Sequence, residues 1–142
     1  MARVDFYVVA GSGDQARRQF ACRLAEKAYR LKNTVYIEVN DAATAQVMDE
    51  LLWTFRDGSF VPHDRLSSAA GDPVSPVTIG FDAADNLNAD LVINLTNDLP
   101  RTMNTSTRIA EIVTSDDDGK LYSRRKYAAY RKDGHTLETH KI

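Results

Sequence analysis

Cysteine, proline, glycine and tryptophan are scarce in this sequence, and so is any long apolar run. The single cysteine, Cys22, excludes an internal disulfide and fits a reducing compartment. No stretch approaches the roughly 18 consecutive apolar residues that read as a membrane-spanning helix. The opening Met1-Ala2-Arg3-Val4-Asp5 turns acidic before the apolar core of a secretory leader can form. The expectation is a cytoplasmic protein with no membrane contact. Repeats, low-complexity tracts and dividing linkers are missing too, so residues 1–142 are expected to form a single domain. A chain of this length buries roughly 68–70% of its unfolded surface, enough to fold without a metal or a disulfide.

The signatures of catalysis are incomplete. Gly11-Ser12-Gly13 follows an apolar run, as phosphate-cradling glycine loops do, but the third glycine position of the dinucleotide fingerprint holds Ala16. No Gly-Lys-Ser/Thr ending is present either, so the loop reads as a tight turn into a helix cap, not a nucleotide site. Cys22 has no histidine linked to it by a motif, and it lies roughly 160° around its helix from Leu24, off the central apolar stripe. His63, His135 and His140 stand far apart and at no metal-ligand spacing. Asp116-Asp117-Asp118 suits the positive end of a helix better than a cation cage. No catalytic residue, cofactor or metal is therefore expected.

The composition is that of a globular protein, with 43% hydrophobic and 27% charged residues. The formal net charge of −2 conceals an asymmetry. From position 120 onward seven basic residues face two acidic ones, a local +5, which leaves −7 on positions 1–119. That distribution favours one cationic face meeting a small anionic partner over a chain coated for DNA.

Periodicity predicts strands over Val4–Val9, Thr34–Val39, Val77–Phe81, Leu91–Leu95 and Arg108–Val113. Helices are predicted from about Asp14 to Lys32, capped by Ser12 or Asp14, from Asp41 to Phe55, and from about Gly119 to Lys132. The segment from Asp57 to Pro76, punctuated by Gly58, Pro62, Gly71, Pro73 and Pro76, reads as loop. The β-α-β-α opening implies right-handed crossovers and a mainly parallel sheet, an α/β fold.

Two stretches stand out. In the last helix Lys120, Arg124, Tyr127 and Arg131 are spaced four, three and four apart, which stacks them on one narrow face. Leu121, Ala128 and Ala129 are expected to dock that helix on the sheet. The stripe is either a solvated charged face, the default for a charge run, or a site for an acidic peptide with an apolar end, since arginine forks grip carboxylates beside an aromatic floor. The second stretch joins Trp53 to Phe60-Val61-Pro62 in the following loop. These residues either complete the core or anchor a partner.

With the opening Phe6-Tyr7, these stretches resemble the chi subunit family of bacterial DNA polymerase III holoenzyme. The resemblance rests on Asp49-Glu50-Leu51-Leu52-Trp53, Ser59-Phe60-Val61-Pro62-His63 and Tyr127-Ala128-Ala129-Tyr130-Arg131, in the same order along nearly the whole chain. It implies a three-layer, Rossmann-like domain with no nucleotide site and no catalytic role. Chi proteins bind the acidic, phenylalanine-ended C-terminal tail of single-stranded DNA-binding protein, and through the psi subunit they link it to the clamp-loader complex. Carried over, the tail site comprises Lys120, Arg124 and Tyr127 with Val113 in the apolar pocket, beside the stripe's Arg131. Trp53, Phe60, Val61 and Pro62 then belong to the surface for psi or a competing helicase-like protein. Ala128 stands where some chi proteins carry a further lysine. Nucleic acid is met only indirectly on this reading. The alternatives are a direct single-stranded nucleic-acid-binding protein, which needs stacked aromatics along a basic groove, and a nucleotide-binding enzyme, which needs the missing glycine fingerprint.

Overall fold

Among the described residues, seven parallel strands form one sheet in the order β3-β4-β2-β5-β6-β1-β7, with three helices on its faces. The computed structural model describes residues 2–56, 58, 60–65, 75–81, 89–103 and 106–142. The strands are β1 (Arg3–Val8), β2 (Val35–Glu38), β3 (His63–Arg65), β4 (Val77–Gly80), β5 (Leu91–Asn94), β6 (Arg108–Val113) and β7 (Thr136–Lys141). The helices are α1 (Gly13–Arg30), α2 (Ala42–Thr54) and α3 (Asp117–Lys132). The arrangement is an α/β, three-layer, Rossmann-like fold, and every strand pair is parallel.

Burial on both sides explains the continuous apolar runs in the middle of the sheet. Every residue of β2, β4 and β5 is buried, as parallel strands covered on two faces require. Val35, Ile37, Leu91, Ile93, Ala110 and Ile112 point to one face and pack with α1 and α2. Val4, Phe6, Tyr36, Val92 and Ile109 point to the other, under Tyr130 of α3.

Two expectations change at the edges. β3 lies inside the segment read as loop, and β7 lies beyond the last predicted helix. Both are edge strands whose residues are mostly half-buried or exposed, so no apolar alternation marks them. Gly71 and Pro73 lie outside the described residues. Cys22 is also placed differently. It is fully buried with Ala21, Ala25 and Ala28, which form the true inner stripe of α1, while Leu24 is only half-buried. Burial pushes its thiol up to about 12, so it is a small core residue and a poor nucleophile.

Candidate functional site

The basic helix is set in place at its first turn. Asp116 caps α3 by accepting from the Gly119 amide at 3.0 Å. A methyl group at Gly119 would collide with the Thr114 hydroxyl, so that turn requires glycine. The other Asp116 oxygen accepts from the Gly13 amide at 2.9 Å, and Ser115 N donates to Gly11 O at 3.0 Å. The nearby Thr114 hydroxyl and the bonds from the Gly13 and Gly119 amides hold the Asp116 carboxyl far below the usual carboxylate range. Strands β1 and β6 are neighbours whose following helices leave on opposite faces, which is where open α/β sheets form a ligand crevice. Here a carboxylate of the chain itself fills the anion position beside the glycine turn. The Ser12 side chain makes no capping bond.

The inner face of α3 departs from expectation. Leu121 and Ala128 are exposed and do not dock on the sheet. Lys126 and Tyr130 point inward instead, one turn apart, and both converge on Glu111 of β6. Lys126 Nζ lies 2.9 Å from Glu111 Oε1 and donates to Thr96 O at 2.5 Å. Tyr130 OH and Asn94 Nδ2 donate to Glu111 Oε2 at 2.6 and 2.8 Å. With its charge buried and paired, Lys126 cannot serve a partner at the surface. Nearby Glu38 is also buried, and loss of water, together with the Glu111 charge, raises its carboxyl above the usual range even though the Arg101 amide donates to it.

With Lys126 and Tyr130 turned in, the stripe of Lys120, Arg124, Tyr127 and Arg131 is left exposed. A shallow hollow of about 460 Å³ is lined by Arg124, Tyr127, Ala128, Arg131 and Lys132. Lys120 lies one turn before it, and among the described residues no acidic side chain lines it. The Tyr127 ring is 39% exposed, with its inner edge packed on Phe6 at 5.3 Å between centroids. Val113, at the end of β6, is half-buried against the same apolar cluster. Among the described residues Lys120, Arg124 and Arg131 have no ion-pair partner, so their charges are available. The hollow offers three cations and one aromatic ring to an anion that carries an apolar group.

The second stretch forms an aromatic step where α2 meets β3. Trp53 and Phe60 are 54% and 63% exposed, with centroids 5.6 Å apart. His63 lies beneath them, its ring 4.7 Å from Trp53, and its nitrogens sit 2.7 Å from Val61 O and 3.0 Å from Asp49 O. That ring ties the loop to α2. Val61 is 1% exposed and belongs to the core, so Trp53, Phe60 and the half-buried Pro62 are the side chains left for a partner. Ser59 lies outside the described residues. The step and the hollow sit toward opposite edges of the sheet and on opposite faces.

One cluster has no counterpart in the spacing of the sequence. Ligand atoms of Asp5, Glu138 and His140 lie within 4.8 Å of one another, brought together by the β1–β7 pairing. Asp5 is already bound by Arg3 and Arg108, each at 3.2 Å, and by His140 at 2.8 Å. Burial works against its charge, but the bonds from His140 and Arg108 prevail and lower its pKa. Two guanidinium groups on one carboxylate repel a metal ion, and the cluster reads as an ion-pair lock for the C-terminal strand.

A Rossmann-like domain that presents a basic helix on one face and an aromatic step on the other is the class of protein defined here. Its sequence matches the family model described as DNA polymerase III chi subunit, HolC, over residues 1–138. The DNA polymerase III subunit chi of Pseudomonas aeruginosa is 39% identical over 142 residues, 100% of this chain and 98% of that protein. Its counterpart in Haemophilus influenzae is 32% identical over 96% of this chain and 95% of its own, and that of Escherichia coli 28% over 98% and 97%. The chain belongs to the DNA polymerase III chi subunit family. No helix among the described residues is long and apolar enough to cross a membrane.

Proposed function

We propose that the protein is a non-catalytic accessory subunit of the replicative DNA polymerase, working in the cytoplasm. It connects the clamp loader, through a psi subunit, to the acidic C-terminal tail of single-stranded DNA-binding protein. The observation that carries this reading is the α3 hollow, where cations with no ion-pair partner among the described residues surround an exposed tyrosine in a chain of the chi family. Arg124 grips the terminal carboxylate, Lys120 and Arg131 attract the acidic residues before it, and the last aromatic side chain rests on Tyr127 and Val113. Trp53 and Phe60 dock psi or a helicase-like competitor. Because the two surfaces face apart, one chain can hold both partners at once.

The test is calorimetric titration with the C-terminal peptide of the same organism's single-stranded DNA-binding protein, beside a control lacking the last residue. Binding of micromolar order that weakens with salt is expected, and both Arg124→Ala and the truncation should abolish it. A folded protein that ignores the intact peptide would overturn the reading.

A further inference from the structure

A second hollow lies on the α1 side of the sheet, between the last two turns of that helix and the amino ends of β5 and β6. It measures about 320 Å³, just above the roughly 300 Å³ at which ligand sites begin. Its apolar lining comes from Leu24, Ala28 and Leu31 along α1 and its cap, from Leu91 of β5 and from the ring of Tyr7. Leu24, Ala28 and Leu31 recur four and three apart, so they stand on one helical face. Leu31 is 66% exposed, and Leu24 is half-buried.

The surroundings are cationic. Between positions 13 and 32 six basic residues face two acidic ones, although positions 1–119 together are acidic. One of the two acids, Glu26, is buried and already gripped by Arg30 at 3.6 Å and Arg56 at 2.8 Å. Arg23, Lys27 and Lys32 are exposed and have no ion-pair partner among the described residues. Lys27 borders the hollow from α1 and Arg108 from β6, the latter with its Nε on Asp5. Asp90, on the same rim, is engaged by Thr34: it accepts from the Thr34 amide at 2.8 Å, and its own amide donates to the Thr34 hydroxyl at 2.9 Å. Cations in the last turn of a helix complement the dipole, which accounts for Lys27 and Arg30 without a ligand. It does not account for Leu31, an aliphatic chain left in water beside them at the mouth of an apolar hollow.

We propose that this hollow docks an acidic peptide segment of a partner protein through an aliphatic side chain. A leucine-sized chain enters between Leu24, Leu31 and Leu91, and carboxylates beside it in the peptide meet Lys27, Arg23 and Lys32. The small Ala28 side chain leaves depth between the two leucines of α1. The lining does not suit a nucleobase. Its one aromatic member among the described residues, Tyr7, is already packed against Phe20 at 5.4 Å and stacked on His140 at 5.0 Å, so no free ring is offered for a base to stack on. The surface does not depend on the tail-binding reading, and it lies on the face of the sheet opposite the α3 hollow.

The experiment titrates the full chain with the peptide Asp-Glu-Leu-Leu-Glu-Asp, acetylated and amidated, and follows amide and methyl NMR signals. Its blocked ends give Arg124 no terminal carboxylate to grip. Saturable shifts of the Leu24 and Leu31 methyls and the Lys27 amide are expected, with a dissociation constant on the order of a millimolar. The same peptide with alanine for both leucines should bind roughly tenfold more weakly or not at all. Leu31→Ser and Lys27→Glu, both exposed positions, should keep the melting temperature and each weaken binding about tenfold. Arg124→Ala should change nothing here, and both α1 variants should still bind the tail of single-stranded DNA-binding protein, so the two sites fail or stand separately. The proposal fails if the leucine peptide leaves the α1 signals unmoved at roughly ten times that concentration, or moves signals of α3 alone. It fails equally if the alanine peptide binds as well, or if either folded α1 variant binds like the wild type.

Discussion

Replacing Lys126 by methionine tests what holds the basic helix to the sheet. The substitution preserves length and apolar character but removes the cation from Glu111, whose side chain is only 2% exposed. Removing one partner of a buried ion pair costs about 3–5 kcal/mol, because the other charge remains buried. Glu111 keeps the Tyr130 hydroxyl and the Asn94 amide as donors, so the lower end, about 3 kcal/mol, applies. An unfolding entropy of about 2.1 cal/mol/K per residue gives roughly 0.3 kcal/mol/K for this chain, so the melting temperature should fall by about 10 °C. Calorimetry and urea unfolding read both values. The variant Lys126→Met with Glu111→Gln leaves no orphaned charge, keeps an acceptor for Tyr130 and Asn94, and should recover much of the loss. A single-variant loss under about 1 kcal/mol, or a double variant no better than the single, would refute this account of the helix anchor.

Trp53→Ala and Phe60→Ala should leave stability within about 0.5 kcal/mol, since both rings are largely solvent-exposed, yet weaken capture of psi in a co-purification assay. Cys22 should resist a disulfide reagent at pH 8 in the native state and react only at the rate of unfolding. The Asp116 carboxyl is depressed in the folded state, so its contribution is complete above the ordinary carboxylate pKa and is lost only as pH falls through the lower native value. Asp116→Ala should therefore remove stability at neutral pH and flatten the acid limb of the curve, read from melting temperature against pH. Glu38 has the opposite sign: its raised native pKa favours folding below the ordinary value and disfavours it as pH rises through the native one. Glu38→Gln should remove that decline, measured by urea unfolding between pH 4 and 8.

What could be read from the sequence follows the physics of burial. The strands β1, β2, β4, β5 and β6 carry apolar runs because helices cover both faces of most of the sheet, and those runs are visible without coordinates. His63-Asp64-Arg65 and Thr136–Lys141 pair at the edges, where one side of the strand meets water, and their sequences carry no such mark. The outward stripe of α3 was legible from spacing alone, because spacing fixes which residues share a helical face. Its inward side was not. Lys126 and Tyr130 replace the expected Leu121 and Ala128 because Glu111, 15 residues before Lys126, makes polar groups the better filling, and that pairing exists only once β6 and α3 are packed. Val61 looked like an anchor for the same reason Phe60 did; which of two adjacent apolar residues turns inward depends on the His63 bonds that tie the loop to α2.

The carboxylate of Asp116, shared between the first turns of α1 and α3, behaves as a ligand that cannot dissociate. A tethered group is present at an effective concentration set by chain geometry, of millimolar order or higher for short flexible connections. A diffusible anion competing for the Gly13 amide would have to exceed that concentration and also leave Gly119 without its cap. The crevice that related architectures keep vacant for a visitor is in this chain occupied permanently. The occupant ties together helices on opposite faces of the sheet, so the angle at which α3 presents its arginines is set from the far side of the molecule.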